Sequence, residues 1–561
     1  MTVNRKITQG STLTARSNGP LVSVLISTYN RPAYLAEALE SIFRQTYQNF
    51  EILLVRDGGL PVRDVVGQFD DPRLHFIDRD ENHGLPRSFN EALSAARGEY
   101  ICYLGDDDKF YPHHIALLMD AILKNPEYAA VYSDLYKAHC RVLPDGRRRV
   151  LAKNVEISRD FDRMLMLQFN HALHVSLIHR RDVFEQAGRY NEKLNVLIDW
   201  DLTRKLCFYT DFLHVPVVTG EYYAPVGNCD RISVQRRRNV SDYLRNVITI
   251  RTTRPPRPWV KVEDLAVVIA AQRADEGLSQ LVRDLWSRTF YPNRIYIPLT
   301  NQEMGRFKCD IQNVVAVEVG AGDLNEQRLS RMLGQVDAPL TAILTAGITM
   351  PPQEAIYLER SVYSLLGGKN SRTLFEIKES DEAHFGAVGH TQTWRDALRS
   401  GCSLLSAQSL RSAGLEVRKP RVDEYPFQFD NLLCSTEMQQ IEGQWEQAAK
   451  IYDYLAEHFG NEIWMQTRQA NALYHAGRYA AAAELAGQLN RRRATVTTYM
   501  IEARARRKML DYKTAAGLYG RALEILTDKS TGHAEQAGDR IRAKHTMETR
   551  CTQPEETLAW T

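Results

Sequence analysis

Tyr100-Ile101-Cys102-Tyr103-Leu104-Gly105-Asp106-Asp107-Asp108-Lys109-Phe110-Tyr111-Pro112 is the stretch on which the fold turns. Its first five residues are apolar or aromatic without a break, as in a parallel strand covered on both faces. Three carboxylates follow directly, at the carboxyl end of that strand, the edge on which open α/β sheets bind ligands. Three unpaired acids in a row repel one another, and a cation that joins them relieves the repulsion. An acidic turn before a helix beginning near Pro112, with an Asp as its cap, is the plainer account of the same residues.

Outward from the triplet the pattern repeats. Leu21 to Ser27 (LVSVLIS) predicts a first buried strand, followed by the polar turn Thr28-Tyr29-Asn30-Arg31-Pro32. Leu35, Ala38, Leu39, Ile42 and Phe43 then fall at helical spacing on one face. Phe50 to Gly59 (FEILLVRDGG) predicts a second strand ending on Asp57, Arg73 to Asp80 a third, Pro86 to Arg97 a helix, and Glu99 to Leu104 the strand that delivers the triplet. Strand, polar turn, helix is the opening of a Rossmann-like α/β nucleotide-binding unit. The dinucleotide GxGxxG fingerprint is missing between first strand and first helix.

Composition narrows the classes. A chain of 561 residues is too long for one core. Its 71 basic and 69 acidic residues leave a formal charge of +2, with no overall pull towards nucleic acid, and none is expected as a partner. The basic runs Gln235 to Asn239 and Asn490 to Arg493 read as solvated faces. Eight cysteines without a CxxC pair indicate neither a zinc site nor a disulfide framework, which suits a reducing cytosol. The first twenty residues hold no apolar h-region, and no stretch approaches a membrane span. The expectation is a cytoplasmic protein without a transmembrane segment, with peripheral contact at the inner membrane face left open.

The stretches VSVLISTYNRPAYLAEALESIFRQTYQNFEILLVRDGG and NHGLPRSFNEALSAARGEYICYLGDDDKFYP resemble family 2 glycosyltransferases of the GT-A fold, over Leu21 to about Tyr223. The resemblance implies an inverting transferase that uses a nucleotide sugar. Thr28, Tyr29 and Asn30 match the end of the first strand, where the family holds the nucleotide. Asp57 matches the acid that contacts the base, commonly uracil, so a UDP-sugar is favoured. The triplet matches the family's DxD region: Asp108 would be the metal carboxylate for Mn²⁺ or Mg²⁺, with Asp106 and Asp107 facing ribose, sugar or metal-bound water, and Asp106 a second candidate ligand. Gly105 stands where many relatives carry a first acid. Asp199-Trp200-Asp201-Leu202 with Arg204 resembles the family's Glu-Asp-x-Asp-Leu-x-x-Arg segment, which makes Asp199 the candidate base and Asp201 its catalytic neighbour; Ile198 replaces the Glu. Helix capping is the plainer account of both acids. Ala224-Pro225-Val226-Gly227 stands where relatives often carry a metal-binding His, and His113, His114, His171 and His174 read as surface or packing residues.

The chemistry needs these residue types. A departing nucleoside diphosphate develops negative charge, which a hard divalent cation held by carboxylates offsets. The attacking hydroxyl loses a proton to a base on the other side of the sugar.

Arg254-Pro255-Pro256-Arg257-Pro258 reads as an extended linker. Beyond it the first domain recurs: Val24, Ile26, Leu35, Leu39, Ile42, Thr46 and Ile52 reappear 243 positions on as Val267, Ile269, Leu278, Val282, Leu285, Thr289 and Ile295. Leu344 to Pro352 answers Leu104 to Pro112, and Ala413-Gly414 answers Ala187-Gly188. Asp57 becomes Thr300 and the triplet becomes Ala346, Gly347 and Ile348, so a GT-A-like copy without its chemistry is expected, with an unrelated α/β domain as the alternative. The acidic pair Asp423-Glu424 reads as incidental. Trp445, Tyr479 and Tyr512, and Ala448, Ala482 and Ala515, then recur at steps of 34 and 33, a pattern that resembles tetratricopeptide repeats presenting a surface to a protein partner or a second copy.

The expected domains are a loose N-terminus (1–20), a catalytic GT-A domain (21–250), a linker (251–262), the degenerate copy (263–425), the repeats (436–526) and a loose tail (527–561). The expected function is metal-dependent sugar transfer to a glycan or glycoprotein acceptor, as in surface polysaccharide synthesis. The alternative is an inert interaction protein working through its repeats. A nucleotidyltransferase is a third reading, against which stands the lack of a Gly-rich basic loop after the first strand.

Overall fold

In this computed structural model, residues 19–143, 145–155, 157–225, 240–271, 273–307, 311, 313–345, 373–377, 387–391, 402–406, 415–418, 436, 439–440, 443–459 and 463–528 are described. Two compact units result: one carries both β-sheets over most of their length, the other the C-terminal helices.

The first sheet opens as the apolar runs predict, with β1 (Val22–Thr28), α1 (Pro32–Phe43), β2 (Phe50–Asp57), α2 (Arg63–Val66), β3 (Leu74–Arg79), α3 (Leu85–Ala95) and β4 (Tyr100–Tyr103). β5 (Lys109–Phe110), α4 (His114–Lys124), β6 (Ala130–Val142), β7 (Arg148–Val155), α5 (Arg163–Gln168), β8 (Leu177–Arg180), α6 (Arg181–Ala187), α7 (Ile198–Leu206), β9 (Phe212–Pro225) and α8 (Val240–Thr252) follow. The strand order is β3-β2-β1-β4-β8-β6-β9-β5, with β7 paired to β6. β1 runs parallel to β2 and β4, so Thr28, Asp57 and the triplet leave the sheet at one edge. Val22, Val24 and Ile26 pack with Leu35, Leu39 and Ile42 of α1 and with Ile115, Leu118 and Ile122 of α4, while Leu25 and Leu53 are buried on the opposite face. A Pro opens both α1 and α3, where a missing N–H costs nothing.

The second sheet begins with β10 (Leu265–Ala270), α9 (Glu276–Arg288), β11 (Asn293–Leu299), α10 (Asn301–Met304), β12 (Val314–Glu318), α11 (Asn325–Leu333) and β13 (Leu340–Thr345). Strands β14 (Thr373–Ile377), β15 (Ala387–Thr391), β16 (Cys402–Ser406) and β17 (Leu415–Arg418) complete it, in the order β12-β11-β10-β13-β16-β14-β17-β15. In the first sheet Val24 pairs with Ile52 and Cys102; in the second, Val267 pairs with Ile295 and Ala342. β8 and β16 each run antiparallel to the strand before them, with Cys102 opposite Ile178 and Ala342 opposite Leu404. Ala346, Gly347, Ile348, Ala413-Gly414 and Asp423-Glu424 lie outside the described residues, as do Gln235 to Asn239.

The last unit contains α12 (Trp445–Phe459), α13 (Ile463–His475), α14 (Tyr479–Arg493), α15 (Val496–Lys508) and α16 (Tyr512–Asp528). Trp445, Tyr479 and Tyr512 each open a helix, and Ala448, Ala482 and Ala515 are fully buried. Two residues before each aromatic, at Gly443, Gly477 and Leu510, the backbone is left-handed, at φ 77°, 81° and 64°. No helix among the described residues is long and apolar enough to cross a membrane.

Candidate functional site

The carboxyl edge of the first sheet brings distant acids together. Thr28 ends β1, and its hydroxyl donates to Asp106 Oδ2 at 2.8 Å. Asp106 and Asp108 are buried. Burial pushes the Asp106 carboxyl up to about 7 and Asp107 beside it adds to the rise, while Arg31, the Thr28 hydroxyl and the Tyr29 N–H pull it back. Asp108 Oδ1 accepts the Tyr223 N–H from β9 at 3.1 Å. A Cβ at Gly105 would sit 2.5 Å from Asp108 Oδ2, so with Asp108 placed as it is, only glycine fits where relatives carry an acid.

Two arginines that the sequence does not mark complete this cluster. Arg31 Nη1 reaches Asp107 Oδ2 at 2.7 Å and Asp106 Oδ1 at 3.4 Å. Arg148, delivered by the β6–β7 hairpin, donates to the Asp107 carbonyl and pairs with Glu37 at 2.9 Å. Its guanidinium lies 4.2 Å from the Tyr34 ring centroid and 3.6 Å from that of Tyr223. Arg31 belongs to the polar turn after β1, where nothing in the sequence singles it out, and Arg148 is one of three consecutive arginines and carries no local signal.

The fit of a divalent cation follows from these groups. Among the described residues no three His, Cys, Asp or Glu side chains form a metal-holding cluster. The donor chemistry nonetheless suits a hard cation, because Asp106 and Asp108 are carboxylates. Burial, the largest cause, and then the neighbouring Asp107 raise the Asp106 carboxyl, and Arg31 offsets only part of that rise.

Asp57, Asn30 and Tyr29 are the other expected donor-binding residues. Asp57 is buried and holds the loop after β3: Oδ1 accepts from the His83 N–H at 2.9 Å and from Arg79 at 3.1 Å, and Oδ2 from the Gly84 N–H at 2.9 Å. Most of its acceptor capacity is therefore spent within the protein. Asn30 is left-handed, at φ 59°, and accepts the Leu60 N–H at 2.8 Å, which ties the turn after β1 to the one after β2. Tyr29 is 48% exposed.

Asp199 opens α7. Its Oδ2 accepts from Asn170 Nδ2 at 2.9 Å, and Thr203 donates to Asn170 Oδ1 at 3.1 Å, orienting the amide. Burial raises the Asp199 carboxyl above the usual range, against the lowering pull of the Trp200 N–H and Asn170. The N-cap residue of α7 is Leu197, which offers no side-chain cap, and Asp199 and Asp201 lie in the first turn, where a carboxylate also favours the helix N-terminus. Asp201, expected to share the chemistry, instead pairs with buried Lys205 at 2.8 Å, one turn along the same helix. Leu197, just before α7, is left-handed at φ 61°. For a bulky residue that conformation costs about 1–3 kcal/mol and persists only where the surroundings enforce it.

An aromatic cluster packs against the triplet's strand. Tyr103, at the end of β4, stacks on His174 with centroids 3.9 Å apart, and His174 bonds the Tyr190 hydroxyl at 2.8 Å. Burial, then Tyr103, then the charges of Asp199 and Asp201 raise the Tyr190 phenol. His114, His171 and His174 are packing residues whose burial depresses their basicity to about 3.

The PGL/p-HBAD biosynthesis glycosyltransferase of Mycobacterium bovis is 29% identical over 220 residues, 37% of this chain and 80% of that protein. Protein y4gI of Sinorhizobium fredii, described as uncharacterized, is 30% identical over 192 residues, 33% of this chain, which spans a fifth of that relative's length. The solved structure of S. aureus TarS 1-349 aligns at 16% identity with a TM-score of 0.32, covering 42% of this chain and 66% of that one. The mannosyltransferase PcManGT of Pyrobaculum calidifontis, solved with GDP-Man and Mn²⁺, aligns at 18% identity and 0.32, covering 43% and 67%. Residues 23–186 match the family model described as glycosyl transferase family 2, and the N-terminal sheet of this chain is thereby a family 2 glycosyltransferase domain.

Proposed function

We propose that the chain is a metal-dependent, inverting glycosyltransferase that moves a sugar from a nucleotide donor, with UDP-sugars favoured, to the hydroxyl of a glycan or glycoprotein acceptor. The observation that carries this reading is the gathering of Thr28, Arg31, Asp106, Asp107 and Asp108 at the carboxyl edge of a family 2 domain. Asp106 and Asp108 would hold a Mn²⁺ or Mg²⁺ ion, which when bound offsets charge on the departing diphosphate.

The chain's own residues do the rest. Tyr29 stacks on the base, and the loop that Asp57 holds through the His83 and Gly84 N–H groups forms the wall beside it. Asp199 takes the acceptor's hydroxyl proton as the new C–O bond forms at the anomeric carbon and the bond to the diphosphate oxygen breaks. Its raised carboxyl makes it a stronger base than a solvated Asp.

The region 263–425 reads as a copy of the first domain without catalysis. Its support is the sheet register: Ile52 to Ile295, Cys102 to Ala342 and Ile178 to Leu404 reproduce the offsets of 243, 240 and 226 read from the sequence blocks. The helices from Trp445 read as tetratricopeptide-like repeats that recruit a partner or a second copy, supported by the matching left-handed turns at Gly443, Gly477 and Leu510.

A thermal-shift screen of nucleotide sugars with Mn²⁺ tests the donor. A ligand present at a hundred times its Kd stabilises by about 2.7 kcal/mol, readable as a shift of the melting midpoint. Uridine-sugar shifts that vanish in Asp108→Ala support the reading, and equal shifts in both proteins contradict it.

A further inference from the structure

The end of α7 remote from Asp199 is fastened to the second sheet. Arg204 is fully buried. Its guanidinium donates to the main-chain carbonyls of Leu167 at 3.2 Å, Thr253 at 2.8 Å, Arg251 at 2.5 Å and Phe290 at 3.1 Å. Leu167 belongs to α5, Arg251 and Thr253 to the end of α8 and the residue after it, and Phe290 to the connection entering β11, so one side chain gathers three segments of both halves.

The segment between the sheets wraps the same point. The Phe208 carbonyl accepts the Val260 and Lys261 N–H groups at 3.2 and 2.9 Å, and the Phe208 ring packs edge-on against Trp259, with centroids 4.8 Å apart. Arg254 and Arg257 bracket Trp259 at 4.7 and 4.9 Å, and both bond Asp264, the residue before β10.

We propose that the second sheet is a positioning element for transfer: through Arg204 it fixes α7, and with α7 the carboxylate of Asp199. This rests on Asp199 being the base. The helix between the two is a short rod, with Asp199 and Arg204 about 7.5 Å apart along its axis, too short to absorb a tilt. Arginine suits the task because its fork of donors stays charged and can serve several carbonyls at fixed angles, which a lysine cannot. The left-handed turn at Leu197 requires the helix after it to be anchored, and Arg204 is that anchor. This role explains why a sheet whose strand ends lack the acids of the first is kept at full size beside it.

The test uses the full chain in two variants. Arg204→Lys keeps the charge and loses the multiple contacts. Asp264→Asn leaves α7 and its own bonds in place and loosens the second sheet from Arg254 and Arg257. Turnover is measured with the best donor from the screen and divided by the fraction of chains that bind UDP, so that unfolded protein does not count. Since a misplacement of about 1 Å can cost a hundredfold, Arg204→Lys should lower kcat by about 10- to 100-fold, and Asp264→Asn by about three- to tenfold. In both, donor KM and UDP affinity should stay within about twofold. Wild-type kcat in Arg204→Lys overturns the proposal, as does a loss that tracks KM. Loss in Arg204→Lys with wild-type kcat in Asp264→Asn overturns the second sheet's part. If Arg204→Lys does not fold, Asp264→Asn decides alone. Asp199→Asn separates the two readings: full turnover there sinks the base, whereas an inert Asp199→Asn beside two fully active variants sinks only this proposal.

Discussion

The two sheets share a register and differ at the strand ends. β2 of the first closes on Asp57, whose carboxylate draws in the N–H groups of His83 and Gly84 and opens a loop. At the equivalent place β11 of the second closes on Thr300, which turns at once into α10: the Thr300 hydroxyl accepts the Glu303 N–H at 3.3 Å, and Glu303 reaches back to the Thr300 N–H at 2.8 Å. A capping box stands where the first sheet has a loop. The comparison teaches that the apolar framework and the chemistry vary independently: Val24 and Val267 sit in matching pairs, whereas a few polar residues at the strand ends decide whether the edge can hold a charged ligand.

The sharpest way to break that comparison is at the base. Asp199→Asn removes the proton acceptor while keeping its shape, and kcat should fall by about a hundredfold to ten-thousandfold with donor KM little changed. Initial rates under saturating donor check this. A next effect concerns the cation: if Asp106 and Asp108 hold it as proposed, Asp108→Ala should weaken Mn²⁺ binding to the full chain at least about tenfold. Titration by electron paramagnetic resonance, which reads free Mn²⁺ without turnover, measures it.

A smaller effect is in the pH profile. The base acts deprotonated, so kcat rises with pH through the Asp199 pKa and levels above it. Because burial raises that pKa, the acid limb should lie above the ordinary Asp value of about 3.9. Asn170→Ala removes a hydrogen bond that favours the charged form and should move the limb further up. For stability the sign is opposite: a carboxyl raised by burial favours the fold below its unfolded pKa, and that contribution is lost as pH rises through the folded value. The least effect belongs to the second sheet: Thr300→Ala should cost about 1 kcal/mol of stability through the lost cap and leave turnover unchanged, read by urea denaturation beside an activity assay.

Much of this arrangement was legible in the chain. Apolar runs such as Val22 to Ile26, broken only by Ser23, read as covered strands, and the acids behind them fall at one edge because parallel strands point the same way. The side-chain partners were not legible, because pairing across 75 positions, as between Arg31 and Asp106, leaves no local pattern. The same holds for Arg148 over the Tyr34 and Tyr223 rings and for Asn170 beside Asp199. Asp201 misled because its place beside Asp199 suggested shared chemistry, whereas one helical turn hands it to Lys205. Arg204 looked like one more motif residue, and only the fold reveals that it reaches Phe290 across 86 positions.

The measurement that bears most directly on the acidic edge is transfer or hydrolysis of a uridine sugar in Mn²⁺, run side by side for the unaltered chain and Asp108→Ala. The account predicts release of UDP by the first and a loss of at least about a hundredfold in the second. Equal release by both would contradict it.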